Sequence, residues 1–392
     1  MITMLHIVIV LVNLFAIIVL AADNSSTHEV PHTRSYWYVG GWYVKGTSGH
    51  VFTNQMYVEK LSPVCNNCNL KQYPIVFIHG QAQTGTNWLN KPDGSQGWTS
   101  YFLSQGYEIF ILDQTSRGRS PWLPGSDNLT TYSAELLQQR FTAPELYKLW
   151  PQASFHTQWP GTGVMGDKIF DTYYSSTVQF LASTTDQQST VKAAGVALLD
   201  RIGTPVILLS HSQGGLMPWL IADARPNLVH AIVSLEPTGP PFQEAIFSNT
   251  SARPYGLTDI PITYSPPVTN PSVDLVQQTI ASTSPNSSQC IIQADKPSPR
   301  KLSNLQKVPV MVLTTEASYH ALYDWCTVKY LRQAGVQTDH VNLPNLGLHG
   351  NGHMVFMEKN SEEVAALVQL WIESRDTLLD RIKNESKEAY NQ

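Results

Sequence analysis

"VILLSHSQGGLMPWLIADA", residues 206–224, is the stretch that decides the fold. It runs from a β-branched apolar segment, which reads as a buried strand, through Ser-Gln-Gly-Gly into an apolar pattern that reads as a helix. A serine at the tip of such a corner needs small residues two positions to either side, because the turn is sharp. Gly214 stands downstream, and Ser210, nearly as small as glycine, stands upstream. Ser212 is therefore a candidate nucleophile. A serine hydroxyl is a poor nucleophile unless a base takes its proton, so a histidine is expected beside it.

Outward from that corner the same unit repeats. "YPIVFIHG" (73–80), "GYEIFILDQ" (106–114), "HAIVSLEP" (230–237), "VPVMVLTTE" (308–316) and "VQTDHVNLP" (336–344) read as further short strands. Helix-like segments lie between most of them, at 98–105, 191–201 and 322–335. Apolar strands alternating with helices predict a mostly parallel sheet covered on both faces. Before them, "SYWYVGGWYV" (35–44) and "QMYVEKL" (55–61) predict an antiparallel opening to that sheet. Residues 121–187 and 237–305 break the alternation. Each follows the carboxyl end of a strand, where open α/β sheets hold ligands, so both are expected to form cap insertions on one domain spanning 22–392.

Composition bounds the function. The chain has 392 residues with 10 Trp, 17 Tyr and 12 Phe, only 14% charged residues and a net charge of −5. The 25 Lys and Arg are scattered rather than gathered in a basic stripe, which excludes a nucleic-acid binder. From Leu5 to Ala22 there is no Asp, Glu, Lys or Arg, and residues 1–21 read as a secretory signal peptide or, if uncleaved, a membrane anchor. Five N-x-S/T sequons, at Asn24, Asn128, Asn249, Asn286 and Asn384, fit the secretory route and predict a glycoprotein. So do four cysteines, for which the pairs Cys65–Cys68 and Cys290–Cys326 are favoured in an oxidising compartment. Cys65-Asn-Asn-Cys68 has no second CxxC with which to build a zinc site.

Candidates for the base lie in "LPNLGLHGNGHM" (343–354), just before the last long amphipathic segment. His349 and His353 have the His-x-x-x-His spacing of a metal pair, but Gly350 and Gly352 break the helix that pair would need, and no third ligand is evident. No metal or organic cofactor is expected. Acyl transfer also needs backbone donors for an oxyanion; the N–H of Gln81, after His79-Gly80, and that of Gln213, after the serine, are placed to supply them.

Together, His-Gly after a strand, Asp113-x-x-x-Arg117-Gly-Arg119-Ser120, the Ser212 corner, "AIVSLEP" and the late histidine resemble the α/β-hydrolase superfamily. More narrowly, they resemble a small bacterial esterase subfamily and its secreted fungal relatives, over roughly residues 36–375. That resemblance implies the α/β-hydrolase fold and a Ser…Glu…His order: Ser212 as nucleophile, Glu236 as acid and His353, not His349, as base. Most α/β hydrolases instead put the acid one strand later, which would select Glu316. The adjacent cysteines of some bacterial members are replaced here by Gln81-Ala82. The implied activity is hydrolysis of a carboxylic ester or lactone through an acyl-enzyme, on a small apolar substrate. Alternatives are a tailoring hydrolase that opens a polyketide lactone or an epoxide, and a non-catalytic binding protein on the same fold. Trp88, Trp122, Trp159 and Tyr264 lie in the loops expected around the site and are candidate pocket residues.

Overall fold

The computed structural model describes residues 29–64, 70–124, 127–282 and 284–390. The apolar start, Asn24, Cys65 and Cys68 lie outside the described residues. Eight strands form one sheet: β1 (His32–Gly46), β2 (Gly49–Pro63), β3 (Ile75–Ile78), β4 (Ile109–Asp113), β5 (Val206–His211), β6 (Val229–Leu235), β7 (Val310–Thr314) and β8 (Thr338–Asn342). Their spatial order is β1-β2-β4-β3-β5-β6-β7-β8. The β1–β2 hairpin is antiparallel and joins β4 antiparallel; the six strands from β4 to β8 run parallel. Every strand of the expected alternation is present.

Strict alternation of side chains sets what covers each face. Val76, Leu208, Ile232 and Val312 point into one core, with Val191 and Leu198 of helix α3 (Thr184–Ile202) and Leu331 of helix α5 (Asp324–Gln333). Ile75, Ile207, Leu209, Val233 and Leu313 point into the other. There they meet Phe102 of α1 (Trp98–Ser104) and Val364 and Val368 of α6 (Ser361–Tyr390). Helix α3 starts on Ser183, whose side chain accepts from Asp186 N–H, and packs tightly on α4 (Leu216–Ala224). A Cβ at Gly195 would lie 2.4 Å from Ile221 Cδ1, so a larger residue there would have to displace the Ile221 side chain.

Two long excursions leave the sheet at its carboxyl edge. Between β4 and α3 lie helix α2 (Lys168–Ser175), a π-helical turn at Gln138–Thr142 and a two-residue ladder pairing Leu129–Thr130 with Phe180–Leu181. Between β6 and β7 a small antiparallel ladder, Gln277–Ile280 with Cys290–Gln293, is joined to α5 by a Cys290–Cys326 disulfide.

The first excursion is fastened to the loop after β8 by a buried charge. His156 Nδ1 lies 2.9 Å from Glu145 Oε2, and its Nε2 lies 2.9 Å from Glu358 Oε1. Glu358 in turn accepts from Gly352 N–H and from Asn351 Nδ2. Burial alone would lower the His156 pKa, but the two carboxylates raise it to about 9, so the ring is an imidazolium at neutral pH. A pKa raised above the unfolded value contributes stability that is full below pH 6.5 and lost as pH rises through about 9. We predict that His156→Gln lowers stability by roughly 3 kcal/mol at pH 6, and that the gap between the two thermal melts narrows steadily from pH 6.5 to pH 9.5. A gap independent of pH would show that the ring is not charged there.

Candidate active site

The corner that opens the sequence folds as a strained elbow. β5 ends at His211, Ser212 takes a left-handed backbone with φ +53°, and a 3-10 turn at Ser212–Gly215 leads into α4. A non-glycine residue in that region costs of order 1–3 kcal/mol, held here by surrounding structure. A Cβ at Gly214 would lie 2.3 Å from His79 O, and one at Gly215 2.6 Å from Pro237 Cβ. The elbow is thus clasped between the loops after β3 and β6.

Glu236, one residue beyond β6, is also left-handed at φ +47°, and its turn is tied to the elbow by Thr238 N–H donating to Ser212 O at 3.0 Å. Its carboxylate is fully buried. Oε1 accepts from Thr315 N–H at 2.9 Å and Thr315 Oγ1 at 2.6 Å; Oε2 accepts from Ser318 Oγ at 2.7 Å and His353 Nδ1 at 2.6 Å. Burial would push this carboxyl up, but the His353 bond, the nearby His320 and the Thr315 donors hold it below its ordinary value. His353, also buried, has its pKa lowered because desolvation outweighs the Glu236 bond. The pair therefore rests as carboxylate and neutral imidazole, with Nδ1–H on Glu236 and Nε2 left as an acceptor.

The ring of His353 is sandwiched. His211 packs on it at 4.5 Å and donates from Nε2 to His353 O at 2.9 Å, while His320 stacks nearly parallel at 4.8 Å. His320 donates from Nδ1 to Asp324 Oδ1 at 2.9 Å, and Tyr323 OH donates to its Nε2 at 3.0 Å. Burial lifts the Asp324 carboxyl to about 6. Glu236, His320 and His353 bring ligand-type atoms within 4.8 Å of one another; Glu236 and His320 hold the hydrogen bonds above on both polar atoms, and His353 on Nδ1.

His349 and Glu316, the alternative base and acid, pair with each other and do not line the cavity that Ser212 and His353 share. His349 Nδ1 lies 2.9 Å from Glu316 Oε1, and Gly350 N–H donates to Oε2. Gln81, Ser212, Gln213 and His353 all line one cavity of about 560 Å3, together with residues from both excursions. Behind it lies Arg117, a buried guanidinium that donates to Gly80 O and to the side-chain oxygens of Gln81, Gln187 and Gln213 at 2.9–3.3 Å. Among the described residues no carboxylate pairs with it, and burial lowers its pKa to about 9. It fixes the side chains of Gln81 and Gln213, the two residues expected from the sequence to supply oxyanion donors. The Asp113–Ser120 motif held this signal: its first arginine stands in a run of turn residues that follows a buried strand.

The four expected pocket aromatics do not line that cavity. Trp88 is fully buried against Phe77 and Phe356, and Trp159 packs on Tyr173. Tyr264 is buried with its hydroxyl on Tyr330 OH and Tyr255 O, and Trp122 donates to Asp127 O. Trp88, Trp159 and Tyr264 serve packing, their ring surfaces covered by the core; Tyr132, Phe141, Phe247 and Tyr319 line the cavity instead.

The profile of the Alpha/beta hydrolase family matches residues 75–367. The chain belongs to this family. A protein of a fungal species (strain ATCC 74256) named "Probable secreted lipase phiG" is 44% identical over 358 residues, covering 90% of this chain and 94% of its own. A solved structure described as a novel bacterial esterase superposes with TM-score 0.59 at 23% identity, covering 89% of this chain and 99% of its own, a likeness of fold.

The hydrogen-bond pattern sets a titration. By NMR, the His353 imidazole of this hydrolase should protonate below the ordinary 6.5. Glu236→Gln should lower that pKa further, since the carboxylate is what favours the imidazolium, while Glu316→Gln should leave it within about 0.3 units. A shift caused by Glu316→Gln alone would reverse the pairing.

Proposed function

We propose that this α/β hydrolase is a secreted serine esterase that cleaves a carboxylic ester or lactone through an acyl-enzyme. The observation that carries the reading is the buried 2.6 Å bond from His353 Nδ1 to Glu236 Oε2 in a ring that shares one cavity with Ser212. Ser212 Oγ attacks the ester carbonyl while His353 Nε2 takes its proton, and the carbonyl oxygen becomes an oxyanion on the N–H groups of Gln81 and Gln213. Collapse expels the alcohol, which receives that proton from His353. Water, deprotonated by the same ring, then attacks the acyl-enzyme and releases the acid. Glu236 orients the imidazole and stabilises its charged form without itself taking the proton. A lactone is a cyclic ester and follows the same steps. Epoxide opening on this fold uses a carboxylate at the elbow, where Ser212 stands.

Secretion is supported by the apolar start, the Cys290–Cys326 disulfide and the relative's name; Asn128, Asn249 and Asn286 are exposed. Among the described residues no helix is long and apolar enough to cross a membrane.

Ser212→Ala should fold normally, lose at least ~10⁴-fold in kcat/KM on aryl esters and lose labelling by a fluorophosphonate. Retention of a tenth of wild-type activity in the folded variant would rule out Ser212 as nucleophile. Protein made in a eukaryotic host should drop in apparent mass on N-glycanase treatment, by three or more glycans if Asn128, Asn249 and Asn286 are all used; unchanged mobility would contradict the secretory assignment.

A further inference from the structure

Of the Arg, Asp and Glu side chains that line the cavity, all but Arg140 are held by ion pairs or hydrogen bonds among the described residues. Arg253 Nη1 pairs with Glu244 Oε1 at 2.7 Å, and Asp259 accepts from Arg253 N–H and from Gln188 Nε2. Arg140 lines the same cavity, and among the described residues no carboxylate lies within ion-pair distance of it. Its guanidinium instead rests 3.8 Å over the Phe247 ring, an arrangement that fixes the planar fork in place while leaving its N–H edge open. The residue sits in the π-helical turn Gln138–Thr142, a rare conformation that recurs at functional sites, and both it and its neighbour Phe141 face the cavity.

The position of this cation relative to the chemistry follows from the rings around it. Phe141 packs 5.0 Å from His353, and Phe247 packs 5.2 Å from Tyr319. The Tyr319 hydroxyl in turn lies 3.5 Å from His353 Nε2. Burial raises the pKa of the Tyr132 and Tyr319 hydroxyls, and the positive charge of Arg140 opposes that rise at both. Arg140 thus stands on the histidine side of the cavity, one ring removed from the groups that handle the proton. A cavity meant only for neutral acyl chains gains nothing from a fixed cation there, and a guanidinium fork matches a carboxylate in bidentate geometry.

We propose that the substrate is an ester that also carries a carboxylate, and that Arg140 binds that carboxylate and sets the specificity. This rests on the esterase reading above and narrows it from esters in general to acidic ones. Arg140 takes no part in bond breaking; it holds the anionic end, so its loss acts on KM more than on kcat.

The test compares two matched pairs of esters on wild type and Arg140→Gln. 4-Nitrophenyl hydrogen glutarate against its methyl ester places the carboxylate in the acyl part. 3-Butanoyloxybenzoate against its methyl ester places it in the alcohol part. For at least one pair, Arg140→Gln should reduce kcat/KM for the acid at least tenfold more than for the neutral partner, chiefly through KM. That difference should shrink as ionic strength rises, and the responding pair identifies which side of the ester bears the acid. Equal losses on acid and neutral esters in both pairs would make Arg140 a packing residue and overturn the proposal. A second measurement is independent of turnover. Glutarate and benzoate should be titrated calorimetrically into Ser212→Ala and into Ser212→Ala/Arg140→Gln. Saturable binding of either anion that weakens at least tenfold in the double variant supports the assignment, and the same weak binding in both proteins overturns it. If wild type cleaves none of the four esters and resists the fluorophosphonate, the esterase reading fails, while the calorimetry still decides whether Arg140 is an anion site.

Discussion

A carboxylate with no access to water must find every one of its hydrogen bonds inside the protein, and Glu236 finds four. They come from Thr315 and Ser318 beyond β7 and from His353 beyond β8, while its own turn binds the serine's carbonyl. The strand ends cannot shift relative to one another without stripping a donor from a buried anion. This constraint explains two backbone strains at once: Ser212 and Glu236 both hold left-handed conformations because each turn is the other's packing surface, with Pro237 lodged against Gly215.

Positive charge is distributed on the same logic. Arg117 is buried behind the backbone donors with only neutral oxygens around it, so its field at the cavity is not cancelled by an acid. His156 is charged because two carboxylates surround it, and it joins the first excursion to the loop that delivers His353. The wall of the cavity and its base are therefore parts of one electrostatic unit, though they are nearly 200 residues apart in the chain.

The sheet was legible because its strands are short apolar runs buried on both faces, which few other folds require. The serine corner and the histidine loop were legible for a local reason: small residues and glycines mark where a chain turns sharply. The choice of Glu236 over Glu316 needed a resemblance, since either strand end could supply an acid; what separates them is burial, and burial depends on partners such as Thr315 and Ser318 that no spacing rule identifies. The cavity walls were misread for the same reason. Trp88 and Trp159 lie in loops near the site in sequence, yet each is drawn into the core where its large apolar surface is covered. Tyr132, Phe141 and Phe247, from two separate excursions, meet only in three dimensions. Arg117 belonged to a motif already singled out, but its lack of a carboxylate partner is visible only once the chain is folded.

In the proposed triad the acid stands one strand earlier than in most α/β hydrolases, and the end of β7 supplies no catalytic side chain. Thr315 and Ser318 cradle the neighbour's carboxylate, and Glu316 pairs with His349. The two layouts differ in which of two adjacent strand ends carries the acid and which carries its scaffold. Such an exchange leaves the sheet untouched, so an ancestral chain carrying carboxylates at both ends could pass from one layout to the other through a working intermediate. The position of the acid is in this sense an interchangeable part of the fold, and in the proposed layout the hydroxyls beyond β7 hold the neighbouring strand's carboxylate.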